Sequence, residues 1–442
     1  YADVRVQRAW SASAELRDGK VEQLVAGSTA GAGVRVLVDG AWGFAFTSRL
    51  EDDAVVAAAG DAVRAAKVVA AHARERVKLA PVKAERATLR VPVRKRPSRV
   101  PLEDRLDLLK ELDRIPRRAG MATRTLGIED GELETRFLSS EGADLVAHVP
   151  RTLFLINVTA EAKGKRASYR SRLGGTQGHE LLGRGAPEDL CKEACEAAAR
   201  LATAKAPKGG RTTVLVDPDL AGVFAHEAMG HACEADLVVS GDSLLAGRVG
   251  EDLGNPMVSI ADDPTLKGSF GFVGFDDEGV RGQRRLLVDK GRLKGFLHSR
   301  ETAAKLGMAP NGAARAESYA HRPLVRMSNT ILLPRDRSFE ELLEGVRTGV
   351  YVKGTRGGQV DTARGTFHFS AQEAFAIERG ELGQPLRDVS LSGNILTTLK
   401  RVDAVGKDFR LAQPGFCGKG QWVPVGDGGP HFRVRNCSVG GA

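Results

Sequence analysis

Thr213-Val214-Leu215-Val216-Asp217-Pro218-Asp219 leads into His226-Glu227-Ala228-Met229-Gly230-His231-Ala232-Cys233-Glu234-Ala235-Asp236. The first four residues have the length and β-branched content of a short buried strand. Asp217 then stands where an N-cap accepts a free backbone N–H, and Pro218 supplies the φ of a first helical turn. The spacing therefore predicts a strand turning sharply into a helix, with two imidazoles and a carboxylate on that helix. Just ahead lies Ala206-Pro207-Lys208-Gly209-Gly210, a composition suited to a boundary between units.

Two histidines near a glutamate on a helix suggest a metal hydrolase in which the carboxylate acts as general base. In the common arrangement the histidines are four residues apart and share a face. Here they are five apart, roughly 500° around an ideal helix, so the rings would point about 140° away from each other. Both can meet one ion only if the helix is distorted. Gly230, directly before His231, is where the chain can loosen or admit a π-bulge that aligns residues five apart. We expect a distorted helix at Met229-Gly230. A third ligand has to come from elsewhere, and Cys233, Cys417, His368 and His431 are the candidates. Cys233 is turned away by the helix itself. Cys417, in Pro414-Gly415-Phe416-Cys417-Gly418-Lys419-Gly420-Gln421, lies on a glycine-flanked loop with a lysine nearby that would favour a thiolate.

Outward from this stretch, the patterns are mixed. Residues 1–50 alternate as short strands, for example at Val34, Val36 and Val38. Residues 52–77 read as an Ala- and Val-rich amphipathic helix. Residues 80–101 hold Pro81, Pro92, Pro97 and Pro101 with five arginines and lysines between 90 and 99, which makes them a connector or edge segment. Leucines at helical spacing mark 103–115, alternation marks strands over 121–173, and 187–204 is a second Ala-rich helix. Beyond about 240, glycine-punctuated β patterns dominate, with helical pieces near 300–306 and 338–347. The expected class is α+β: residues 1–208 form an N-terminal α/β domain with an antiparallel sheet and Ala-rich helices, and residues 209–442 form a β-rich domain carrying the metal-binding helix.

Composition narrows the function. The 442 residues carry 65 Lys+Arg against 56 Asp+Glu, a net charge of +9, with 42% hydrophobic and 27% charged residues, which excludes wholesale disorder. Aromatics at 5% are too few for a base-stacking surface, and no aromatic interrupts the basic run at 90–99, so we expect no nucleic-acid partner. The most apolar stretch, 54–73, includes Asp61, Arg64 and Lys67 and cannot span a bilayer. The opening residues show no basic-then-apolar signal, and with a start at Tyr1 we expect that residues precede it. Five cysteines make no disulfide framework, and an odd count leaves one unpaired, so a reducing, cytoplasmic setting is expected. Gly241-Asp242-Ser243-Leu244 spells a serine-esterase signature in the wrong part of the chain. Gly27 to Gly33 is glycine-rich like a dinucleotide loop, but a strand follows it where that fold needs a helix.

The pattern His226-Glu227-x-x-Gly230-His231-x-x-Glu234-Ala235-Asp236 resembles the metal helix of the TldD/PmbA metalloproteases, the "modulator of DNA gyrase" family. Further blocks resemble it in the same order. They are Gly33-Val34-Arg35 to Trp42-Gly43-Phe44, Phe275-Asp276-Asp277-Glu278-Gly279-Val280, Ser318-Tyr319-Ala320 to Thr330, Gly365 to Gly380, and Cys417-Gly418-Lys419-Gly420-Gln421. The resemblance spans essentially the whole chain. It implies a zinc peptidase of the active TldD type, with His226, His231 and Cys417 as Zn2+ ligands, Glu227 as general base and no other cofactor. It implies unfolded or extended peptides as substrates. It also implies a dimer, either of like chains or with an inactive PmbA/TldE-like subunit. The alternative is a non-catalytic subunit or peptide-binding adaptor of such a complex.

Overall fold

The computed structural model describes residues 1–183 and 185–441. It is an α+β structure built on three large sheets. In the N-terminal part, strands Ala41–Thr47, Lys20–Val38, Ala2–Arg17, Thr123–Ser139 and Asp144–Ala162 lie side by side, all antiparallel. The far edge of Asp144–Ala162 is shared. Arg86–Arg90 runs parallel to its first half and Lys165–Gly175 antiparallel to its second. The connector thus supplies a short edge strand between Pro81 and Pro92, whose missing N–H groups fall outside the paired residues. Helix Asp52–His72 presents Ala58, Ala62 and Ala66 to Val34 and Val36. Helices Leu102–Arg118 and Ala186–Thr203 bury Leu109, Leu112, Cys191, Ala194, Ala198 and Leu201 against Leu126, Ile128, Phe154 and Ile156. The small alanine faces of Asp52–His72 and Ala186–Thr203 let those two helices approach their strands closely.

The C-terminal part opens with strand Gly210–Val216, as the apolar run predicts. It pairs parallel with Thr348–Asp361 and antiparallel with Phe432–Gly441. Phe432–Gly441 pairs with Val389–Asn394, that strand with Thr366–Glu378, and Thr366–Glu378 back with Thr348–Asp361. The five strands close into a ring, so none of them keeps a long free edge. Phe224, Phe367, Phe369 and Phe432 cluster inside it, with Phe224 and Phe432 centroids 5.4 Å apart. A second sheet has the order Arg292–Leu293, Arg285–Asp289, Ile260–Asp262, Asn329–Leu332, Trp422–Gly429, Arg410–Leu411, and Gly415–Gly418 hairpins onto Trp422–Gly429. The helix that starts at Pro218 packs against strands of both sheets. Asp217 caps it as expected, accepting from Leu220 N at 2.9 Å. Helices at Arg300–Leu306 and Phe339–Glu344 fall where predicted. Helix Ile395–Arg401 was not foreseen, because its seven residues show too little periodicity.

The two parts are clamped by buried charge. The guanidinium of Arg35 bonds Asp3 at 2.6 Å within its own sheet and Glu278 at 2.9 Å across the boundary. Arg5 donates to the carbonyls of Ser318 and His321 at 2.8 and 2.6 Å. Arg35→Met is expected to leave two carboxylates buried without their cation and to cost about 3–5 kcal/mol of stability, as breaking one side of a buried pair does. Chemical denaturation reads this directly, and an unchanged midpoint would contradict it.

Candidate metal centre

The helix Pro218–Phe224 gives way to a π-helical segment, Ala225–Gly230, then a tight turn at His231–Cys233. Widening the helix cancels the misalignment that a five-residue spacing imposes, and the two imidazoles face each other with centroids 5.1 Å apart at 88°. The distortion occurs where the spacing requires it, and Gly230 closes the π-helical segment, as expected. Its φ of −58° is ordinary helix, and a Cβ there would overlap Met327 Sδ. The glycine also permits close packing against the second sheet.

The Gly415–Gly418 hairpin strand brings in the third group. One donor atom each of His226, His231 and Cys417 lies within 4.8 Å of the others, and Cys417 Sγ is 3.4 Å from His231 Nε2. Tetrahedral zinc bonds of 2.0–2.3 Å place donors roughly 3.3–3.6 Å apart, so small side-chain adjustments suit this set to such an ion. Of the other candidates, Cys233 is wholly buried in the apolar core, which pushes its thiol up. His368 is exposed on strand Thr366–Glu378, and His431 is held by Tyr351 Oη at 3.0 Å and by Asp408. Ser243 is buried and donates to Ala232 O at 2.6 Å, a structural bond.

Charge around the site is strongly matched. Burial pushes the Cys417 thiol up, but His226 and His231 outweigh it and hold it down at about 4. Burial lowers both imidazoles, yet Glu234 and Cys417 raise His231 well above its ordinary value, and Cys417 raises His226. Glu234 Oε2 accepts from His231 Nδ1 at 3.0 Å, which leaves Nε2 for the sulfur side. Glu227 is not in the donor set. Its Oε2 lies 3.9 Å from His231 Nε2, and the side chain keeps 22% of its exposure, so it faces the same space with access to water.

The signs give a pH prediction. The thiolate is already formed at neutral pH, so protons compete with a metal mainly at the two raised histidines. Metal affinity is therefore expected to climb as pH rises through neutrality, by up to about tenfold per unit for each proton displaced. Titrations at several pH values would show this, and an affinity flat between pH 6 and 8 would contradict it.

Lys419 does not serve the sulfur as its sequence position suggested. Its Nζ bonds Asp236 at 2.7 Å and Glu234 at 3.2 Å, while Arg326 bonds the Cys417 and Gln421 carbonyls at 2.5 and 2.9 Å. Glu234, Lys419 and Arg326 thus tie the hairpin to the metal helix. Sequence reasoning assigned no role to Glu234 or Arg326. The one available signal was a carboxylate three residues after His231, a spacing that shares a helix face.

A sequence model of the PmbA/TldA metallopeptidase C-terminal domain matches residues 209–441, and models of domain 1 and the central domain match 2–66 and 95–203. The chain belongs to the PmbA/TldD metallopeptidase family. A "Metalloprotease" of Methanothermobacter thermautotrophicus is 45% identical over all of this chain and 95% of its own length. A "Zinc metalloprotease TldD homolog" of Saccharolobus solfataricus is 40% identical over 53% of each chain. Among solved structures, one from Thermotoga maritima superimposes with a TM-score of 0.82 at 23% identity, covering 99% of this chain and 96% of its own. TldE from Thermococcus kodakarensis does so with 0.79 at 18% identity, covering 100% and 96%. These two show that the PmbA/TldD fold is shared. No helix of the described residues is long and apolar enough to cross a membrane.

Proposed function

We propose that this chain is a zinc peptidase of the TldD type that hydrolyses peptide bonds in unfolded or extended peptides, with His226, His231 and Cys417 as ligands. The observation that carries this reading is the convergence of three metal donors within 4.8 Å, with the Glu227 carboxylate 3.9 Å from one of them. A zinc ion supplies, when bound, a Lewis acid for the scissile carbonyl and a lowered pKa for water. Glu227 takes the proton from the attacking water and passes it to the leaving amine. Glu234 fixes the tautomer and orientation of His231, and Lys419 and Arg326 hold the Cys417 hairpin against the helix.

We propose two working units, 1–208 and 209–442, in a dimer of like chains or with a PmbA/TldE-like subunit. Phe416 and Trp422, 46% and 62% exposed beside Cys417, suit a rim that a peptide or a partner covers. Five free, buried cysteines suit a reducing cytoplasm. The test is metal content measured beside cleavage of an unfolded peptide. Metal-loaded protein that leaves the peptide intact would make it a non-catalytic, peptide-binding subunit.

A further inference from the structure

Strand Lys165–Gly175 is an edge of the N-terminal sheet and buries Ala167, Tyr169 and Ser171, which leaves Arg166, Ser168, Arg170 and Arg172 on its other face. Side chains two apart on a strand stand about 7 Å from one another, so the guanidiniums form a row. The neighbouring strand sets Glu161, Thr159, Asn157 and Leu155 opposite them, and only Glu161 carries a charge.

The C-terminal part adds to this charge instead of neutralising it. A cleft of about 370 Å³ lies between the two parts, with Arg166 and Arg170 on one wall and Arg356 and Arg387 on the other. Among the described residues no carboxylate lines it. Arg172, next on the row, lines a larger cavity of about 450 Å³ together with Lys353. That cavity reaches Asp219 on the helix before His226 and Pro414 ahead of the Cys417 hairpin. Its carboxylates are Glu193, Asp427 and Asp219, which Arg410 matches at 3.3 Å, so the positive excess is largest at the cleft.

Arg166 pairs with Glu161 at 2.8 Å, and Arg356 and Arg387 share Asp388 at 3.3 and 2.6 Å, while Arg170, Arg172 and Lys353 have no ion-pair partner among the described residues. Burial and the charges of Arg172 and Arg356 all lower the Arg170 pKa. Like charges gathered in a cleft focus a field that an anionic ligand relieves, and guanidinium forks match carboxylates in pairs of hydrogen bonds. The backbone of Arg170 is already engaged. Its N–H donates to Gln372 Oε1 at 3.0 Å, and Gln372 Nε2 donates to its carbonyl at 2.8 Å. A ligand there meets side chains and not a free strand edge.

We propose that this arginine row and cleft bind an acidic stretch of an extended peptide. Such a peptide repeats its side chains on one face at the spacing of the row. The proposal rests on the peptidase reading and gives it a substrate class.

The experiment uses full-length, metal-loaded Glu227→Gln protein, which keeps substrate intact. Three unfolded peptides differ only at alternate positions, which hold glutamate, glutamine or lysine. An exposed ion pair contributes up to about fivefold, so several together should make the glutamate peptide bind at least about tenfold tighter than the glutamine one. In Glu227→Gln/Arg170→Glu/Arg172→Glu protein that advantage should vanish and the lysine peptide should overtake it. Thermal melting checks that this protein is folded. If it is not, Glu227→Gln/Arg170→Gln carries the test, with an expected loss of about threefold for the glutamate peptide alone. Equal binding of the glutamate and glutamine peptides overturns the site, as does a preference that survives either change. A random DNA duplex that binds more tightly and displaces the glutamate peptide makes the row a nucleic-acid surface and also overturns it. If wild type cleaves none of the peptides, the peptidase reading fails, while the dissociation constants still decide the acidic-peptide site.

Discussion

Glu227→Gln is expected to keep its metal and lose about a hundred- to ten-thousandfold in kcat, the range a positioned general base contributes. The reason is geometric. Glu227 lies outside the donor set of His226, His231 and Cys417, yet its carboxylate is 3.9 Å from His231 Nε2, facing the same space. Glutamine has the same shape and can still hydrogen-bond water, but it cannot take a proton at neutral pH. The partial exposure of the side chain means that the change strands no buried partner, so stability should be nearly unaffected. Metal analysis, thermal melting and cleavage of an unfolded peptide on the same preparations check the three parts. A variant that cleaves at the wild-type rate would remove Glu227 from the mechanism. One that loses metal would place it among the ligands.

Cys417→Ser is expected to act on the metal itself. Serine fills nearly the same volume, but its hydroxyl does not ionise near neutral pH, whereas the Cys417 thiol is held at about 4 by the two histidines. If the thiolate binds the metal, its removal should weaken metal binding by more than about a hundredfold, the upper end of what is lost when only a ligand's hydrogen-bond partner is changed. Cleavage should fall with metal occupancy and return in part at high zinc concentration. With cobalt in place of zinc, the wild type should show a thiolate charge-transfer band that the variant lacks. Unchanged metal affinity would mean that the sulfur is not a ligand. Cys233→Ser is the control: that thiol sits in the apolar core, so stability should drop while metal affinity stays.

Much of the local structure was legible in the residues. The Thr213–Val216 strand, the Asp217-Pro218 helix start and the Ala-rich helices follow from periods and capping chemistry that act over a few residues. The five-residue spacing of His226 and His231 was itself an argument: either the helix is irregular or the rings never meet. The π-helical turn resolves that. The role of Gly230 could not be read the same way, because its neighbour Met327 is almost a hundred residues away in sequence.

What the sequence by itself determined is therefore the chemistry on offer and the local backbone: which stretches are strand or helix, which residues can ligate, and that one helix must be distorted if both its histidines are to meet. The tertiary structure decided which of the four candidates lies beside the two histidines, and that Lys419 serves Glu234 and Asp236 and not the sulfur. Capping and periodicity are set by neighbours along the chain. The 186-residue link from His231 to Cys417 is set by the order of strands in the second sheet and by how it packs on the ring of strands, which depends on the whole chain folding at once.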